Sequence, residues 1–292
     1  MDDAWIYLAL LSAFSLATSD ALTKKALSYH NEYLVAWLRL LWSLPLVCVP
    51  LAIAPMPRVD SGFALTFAIA LPLEVCALIL YVKALKTSPL SLTIPFLALT
   101  PLFLIVLPHL LLGETVSLPA GLGVVLIAIG GYTLNLNDLA KGPLGPFRAI
   151  LSERGALYMI LVAVIYAVTS TLGKRAIEQS SALFFGATYF AALTIVLAPL
   201  AVLKARRETG TLLPLGALKA SALPGIAYGA MILSHMLALS LTKVAYMISV
   251  KRLSLLIAVL YGYLFFRETG FAQRFFGAAL MFSGFVLIVL YH

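Results

Sequence analysis

Of the 292 residues 62% are hydrophobic and only 11% charged, the mean hydropathy is +1.04 and the net charge is +8. That balance excludes an ordinary soluble domain and makes lipid the solvent of this chain. The Lys and Arg residues come in small groups between apolar runs, the pattern of short membrane loops rather than of a face that binds nucleic acid, so no nucleic-acid partner is expected.

At roughly 20 apolar residues per span, the length gives on the order of ten spans and leaves no room for a soluble domain. They are predicted at 5–27, 33–53, 62–85, 90–110, 117–135, 155–177, 182–203, 219–241, 244–265 and 272–291. Hydrocarbon offers backbone groups no hydrogen-bond partner, and the continuous apolar runs lack the alternation of membrane strands, so every span is expected to be helical. The expected fold class is an all-α polytopic membrane protein with ten transmembrane helices. Asp2 and Asp3 stand where a signal peptide would be basic, so the first span is read as an uncleaved helix. Cys48 and Cys76 lie within apolar runs and predict no disulfide. The longest interruption, 135–154, carries Gly142-Pro143 and Gly145-Pro146. It divides the chain into a five-helix repeat at 1–137, a connecting loop at 138–154 and a second five-helix repeat at 155–292.

The halves resemble each other. Leu22, Lys24, Lys25, Ala26 and Leu27 align with Leu172, Lys174, Arg175, Ala176 and Ile177 at an offset of about 150. Ala84-Leu85, Glu114-Thr115, Gly123 and Gly130 align with Ala238-Leu239, Glu268-Thr269, Gly277 and Gly284 at an offset of about 154, so one small indel reconciles the two registers. With an odd number of helices in each half, the second half enters from the opposite side, which predicts inverted repeats.

Ionisable side chains within spans cost roughly 2.5–3.5 kcal/mol and persist where a partner or a wet cavity relieves them. In the first span Ser12, Ser15, Ser19 and Thr23 share a face beside Asp20, arranged either to bind a solute or to pack on another helix. Glu74, in the middle of the third span, shares a face with Ala77, Tyr81 and Ala84; it suits proton coupling or a fixed ion pair. Pro95, Pro101 and Pro108 punctuate the fourth span, and Pro95 and Pro101 are hinge candidates beside the polar Thr100. Tyr166 and Ser170 add polar groups to the sixth span, and His235 lies in the eighth on a face with Tyr228. In the ninth, Lys251, Ser254, Ala258 and Tyr261 form a stripe, with Lys251 directed to a cavity as an anchor for a carboxylate or phosphate, or as the partner of Glu74, and Arg252 snorkelling outward.

Arg39, Glu114 and Glu268 fall near span ends, where anchoring or helix capping accounts for them. Gly123 with Gly130 and Gly277 with Gly284 recur at heptad spacing and predict close packing of helices five and ten, including a homodimer through them. The cysteines are isolated and His30, His109, His235 and His292 scattered, so no metal site, cofactor or catalytic residue is expected.

Several of these features are similar to the drug/metabolite transporter superfamily in its EamA-type branch. They are Trp37-Leu38-Arg39, Ala84-Leu85, Pro95 and Pro101, and Leu112-Gly113-Glu114, repeated in the second half as Ala238-Leu239, Val250-Lys251-Arg252-Leu253-Ser254 and Phe266-Arg267-Glu268. Two departures stand out: Arg267 replaces a small residue, and the ninth span has no counterparts of Pro95 and Pro101, which suggests unequal movement of the halves. The resemblance implies a ten-helix bundle whose first, third, fourth, sixth, eighth and ninth helices line a central cavity, with the fifth and tenth behind them. Members carry amino acids and other metabolites, often outward, and relatives carry nucleotide sugars or triose phosphates.

The expected function is secondary transport of a small organic metabolite across the inner cell membrane by alternating access. A lipid or polyprenyl-phosphate flippase of the same fold is the alternative. An intramembrane lipid-modifying enzyme would need paired acids or a His/Asp set, and Asp20, Asp60 and Asp138 stand apart. The loop charges favour both termini outside, whereas the resemblance implies both inside.

Overall fold

The computed structural model describes residues 3–87, 94–133, 154–266 and 275–292, and every regular element among them is helical. The helices are α1 (Ala4–Leu27), α2 (Glu32–Cys48, continued by a 3-10 turn at Val49–Ile53), α3 (Ser61–Thr87), a 3-10 turn (Ile94–Leu99) leading into α4 (Thr100–Leu112), and α5 (Leu118–Thr133). The second half contributes α6 (Arg154–Glu178), α7 (Ala182–Thr209), the short α8 (Leu215–Ala220), α9 (Ala222–Leu241), α10 (Val244–Lys251), α11 (Ser254–Phe266) and α12 (Phe275–Tyr291). Among the described residues six helices are long and apolar enough to cross a membrane, and Phe96–Leu112, Leu118–Thr133 and Phe276–Tyr291 are shorter apolar helices. The protein is thus an all-α, multi-pass membrane protein.

Local chemistry sets the helix ends. Asn31 caps α2 by accepting from the amides of Tyr33 and Leu34, and Ser181 caps α7 by accepting from Phe184. These two caps sit at the same place in the two halves. α4 and α7 close on Gly113 and Gly210, each at φ 72°, where a residue without Cβ adopts the left-handed conformation at no steric cost. Glu114 accepts from the amide of Val244 at 2.9 Å and so caps α10, the capping role expected of it. Glu268, its counterpart, and most of the connecting loop at 138–154 lie outside the described residues.

The chain forms two compact units, Met1–Val75 with Leu172–Thr242, and Cys76–Thr171 with Lys243–His292. Each draws helices from both sequence repeats. In the first unit α1 packs antiparallel on α9, with the hydroxyls of Ser12 and Ser19 donating to the carbonyls of Met231 (3.3 Å) and Pro224 (2.8 Å). α2 runs antiparallel to α7, the Trp37 indole donating to the Thr194 carbonyl and the Asn31 amide to Glu208. α3 meets α7 through Phe63, Phe67, Phe185 and Tyr189, whose hydroxyl donates to the Ala70 carbonyl at 3.0 Å.

In the second unit α5 and α12 cross antiparallel: a Cβ on Gly123 would lie 2.6 Å from the Gly284 carbonyl oxygen, and one on Gly130 2.6 Å from that of Gly277. The four heptad-spaced glycines therefore pack within one chain, and a contact between copies would have to use other faces. The end of α3 and the start of α6 share a cluster with the 3-10 turn, built from Tyr81, Ala84, Phe96, Leu97, Met159 and Val162. By the repeat offset α2 is equivalent to α7 and α5 to α12, and both equivalent pairs run antiparallel.

Candidate functional site

In the first unit four helices bring polar groups together. The Arg39 guanidinium donates from Nη1 to Asp20 Oδ1 at 3.0 Å and stacks 4.2 Å above the centroid of the Tyr228 ring. The Arg39 side chain is 6% exposed and that of Asp20 26%, so the carboxylate is the side of the pair nearer to solvent. Glu74, from α3, is close enough to act electrostatically on Tyr228, as Asp20 does. An unpaired guanidinium at this depth would be prohibitive; ion pairing and the aromatic face make it tenable. The sequence reading put Arg39 at an interfacial anchor, and the structure corrects this. Gly225 and Gly229 on α9 let α2 come close, with the Arg39 carbonyl 2.8 Å from a Cβ built on Gly225, and that approach buries Arg39.

On the polar face of α1, Ser12 and Ser19 donate to α9 carbonyls, and Ser15 and Thr23 are buried. His235 is buried on α9, two turns beyond Tyr228 on the same face. Lys174 is buried near the end of α6, where its ammonium donates to the carbonyls of Leu239 (2.9 Å) and Thr242 (3.2 Å) and closes the C-terminus of α9.

The second unit holds the fourth and ninth spans. The described part of the fourth is a 3-10 turn, Ile94–Leu99, that passes into α4 at Thr100; Pro95 lies in the turn, and Pro101 stands in the first turn of α4, where its missing N–H costs nothing. The ninth span is broken. α10 ends at Lys251 and α11 begins at Ser254, with the break tightened by i→i−3 bonds from the amides of Arg252 to Ser249, Leu253 to Val250, Leu255 to Arg252 and Leu256 to Leu253. These bonds satisfy the backbone within the chain, as a break inside a membrane requires.

The break in the ninth span touches the start of α4. Arg252 Nη2 donates to Thr100 Oγ1 at 3.0 Å, and both residues are buried. Arg252 therefore does not snorkel outward as expected; the outward assignment took the ninth span as one continuous helix, and the break changes its phase. Lys251 is half-buried at the end of α10, and Ser254 is buried at the start of α11. Tyr81 belongs to the apolar cluster beside the 3-10 turn and Tyr166 packs against it, while Ser170 is half-buried further along α6. Glu74 and Lys251, considered as partners in the sequence, fall in different units.

Residues 3–136 and again 153–290 match the EamA-like transporter family. The chain belongs to that family. EamA-like proteins are membrane transporters of small molecules, and this member is a multi-pass example. A solved structure described as "Crystal structure of protein" aligns at a TM-score of 0.78 and 17% identity, covering 98% of this chain and 99% of that one, a likeness of fold alone. Among curated proteins the comparison finds no match. Among the described residues of this EamA-like chain no group of His, Cys, Asp and Glu is arranged to hold a metal ion. Two residues escaped the sequence reading as site members, Arg39 and Arg252. The Trp37-Leu38-Arg39 and Lys251-Arg252 motifs were visible, but not that both guanidiniums turn inward.

Proposed function

We propose that this EamA-like protein is a ten-span secondary transporter of the inner cell membrane that exports a small organic metabolite, an amino acid or similar zwitterion or anion, by alternating access. Its two five-helix repeats are inserted with opposite orientation, a reading supported by the antiparallel crossing of the equivalent pairs α2 with α7 and α5 with α12. The observation that carries the proposal is the break in the ninth span, whose Arg252 donates to Thr100 at the start of α4. Discontinuous helices are where secondary transporters place solute and coupling-ion sites, because a break leaves polar backbone and room for charge in mid-membrane. Lys251, at the end of α10 beside that break, is suited to anchor an anionic group. Glu74 is the group proposed to couple transport to protons.

The test is counterflow in proteoliposomes loaded with a mixture of unlabelled amino and organic acids, with labelled members outside. The protein is expected to accumulate label transiently at equal pH and to respond to an imposed pH gradient. In Glu74→Gln the counterflow is expected to persist and the gradient response to vanish; a full gradient response in that variant would remove the coupling role. Movement of a labelled phospholipid in place of every solute would favour a flippase instead.

A further inference from the structure

We infer that Arg252 serves the transport cycle as a positioning residue: by donating to Thr100, its guanidinium ties the break in the ninth span to the start of α4, so that α4 and the half-helix α11 shift together. The inference rests on the transporter reading above and assigns a device within it. Two observations support it. The donor stands at the break, between α10 and α11, and the acceptor is the first residue of α4. The bond, Nη2 to Oγ1 at 3.0 Å, is buried, with Thr100 0% and Arg252 6% exposed. A guanidinium hydrogen bond shielded from water is among the stronger ones a side chain makes, and a buried guanidinium separated from its acceptor is costly.

The ninth span breaks without a proline. Pro95 and Pro101 mark the passage of the fourth span from its 3-10 turn into α4, whereas the ninth has only tightened turns around Arg252 and Leu253. The bond to Thr100 gives the proline-free break a fixed reference on the start of α4. The link is also one-sided. By the repeat offset Thr100 corresponds to Ser254 and Arg252 to Ala98, and the methyl group of Ala98 has nothing to donate. One crossing bond of the two that repeat symmetry allows can therefore form, and it couples segments roughly 150 positions apart in the chain.

Adjacent residues thus divide the work. Lys251 is the residue proposed to meet the solute, and Arg252 acts through Thr100 without touching it. Hydrogen–deuterium exchange on the full chain in nanodiscs reads the link directly and needs no solute. Thr100→Val keeps the side-chain shape and deletes the acceptor, whereas Thr100→Ser retains it. Thr100→Val is expected to speed exchange of the amides at 253–257 about tenfold, as loss of a hydrogen bond to a charged group predicts, with Thr100→Ser at the wild-type rate. In counterflow Thr100→Val and Arg252→Met should lower turnover alike at unchanged KM, and the double variant should be no worse than either.

Unchanged exchange at 253–257 in Thr100→Val would overturn the inference. So would an Arg252→Met protein with intact turnover and a raised KM, because that result places Arg252 on the solute. Thr100→Val leaves the guanidinium in place and carries the test alone if Arg252→Met yields no folded protein. A wild-type protein without counterflow would reject the transporter reading, and the exchange measurement would still decide whether the ninth-span break is tied to α4.

Discussion

Arg39 lies roughly 10 Å into α2, too deep for its guanidinium to be held by water alone. It is held by Asp20 and the Tyr228 ring, so the three residues pin α1, α2 and α9 to one another. Removing one member of a buried pair strands the other charge. Arg39→Ala is expected to destabilise the protein by about 3 kcal/mol. Thermal unfolding in detergent should show a clear fall in Tm for the single variant and recovery of most of it when Arg39→Met is combined with Asp20→Asn. Equal Tm values for the single variant and the wild type would show that the pair is solvated. Asp20 and Glu74 were legible in the sequence because a carboxylate inside an apolar run stands out. Arg39 was misread because distance from a span edge says nothing of the neighbouring helix, and the neighbour that buries it carries glycines at the contact.

Those glycines act at the scale of the element. Gly225 admits α2 so closely that an added Cβ would stand 2.3 Å from the Trp42 Cβ and 2.8 Å from the Arg39 carbonyl oxygen. Backbone cannot give way there as a flexible side chain would. Gly225→Ala is therefore expected to cost about 1–3 kcal/mol of stability, read as a lowered Tm, and to disturb the Arg39 pair. A Tm unchanged by Gly225→Ala would mean that α2 and α9 are looser than described. At this scale nine of the ten expected spans coincide with continuous apolar helices among the described residues, since length and hydropathy record them well. The interruption of the ninth was not legible. It replaces a few i→i−4 bonds by i→i−3 bonds without a proline or glycine to mark it; the polar stretch Lys251-Arg252-Leu253-Ser254 was taken as part of one continuous helix, and the phase of Arg252 was lost with it.

For the whole molecule the repeat was visible as matched residues at a nearly constant offset, and their odd helix number predicted opposite orientations. The antiparallel crossings of α2 with α7 and of α5 with α12 are the feature on which the proposed opposite orientation rests. The two compact units were not legible, because similarity along a sequence records which segments share an origin, whereas the units record which segments pack together. Each unit mixes both repeats, and α3 and α6 each contribute to both. The heptad glycines showed that helices five and ten pack closely, but the spacing is the same whether the partner lies in the same chain or in a second copy. A single cysteine at Ser254, beside the break in the ninth span, in a chain whose Cys48 and Cys76 are replaced, tests alternating access most directly. In sealed vesicles of either orientation a membrane-impermeant thiol reagent should reach it from both faces, more slowly when a transported solute is present. Labelling from one face alone, at a rate indifferent to solute, would contradict the account.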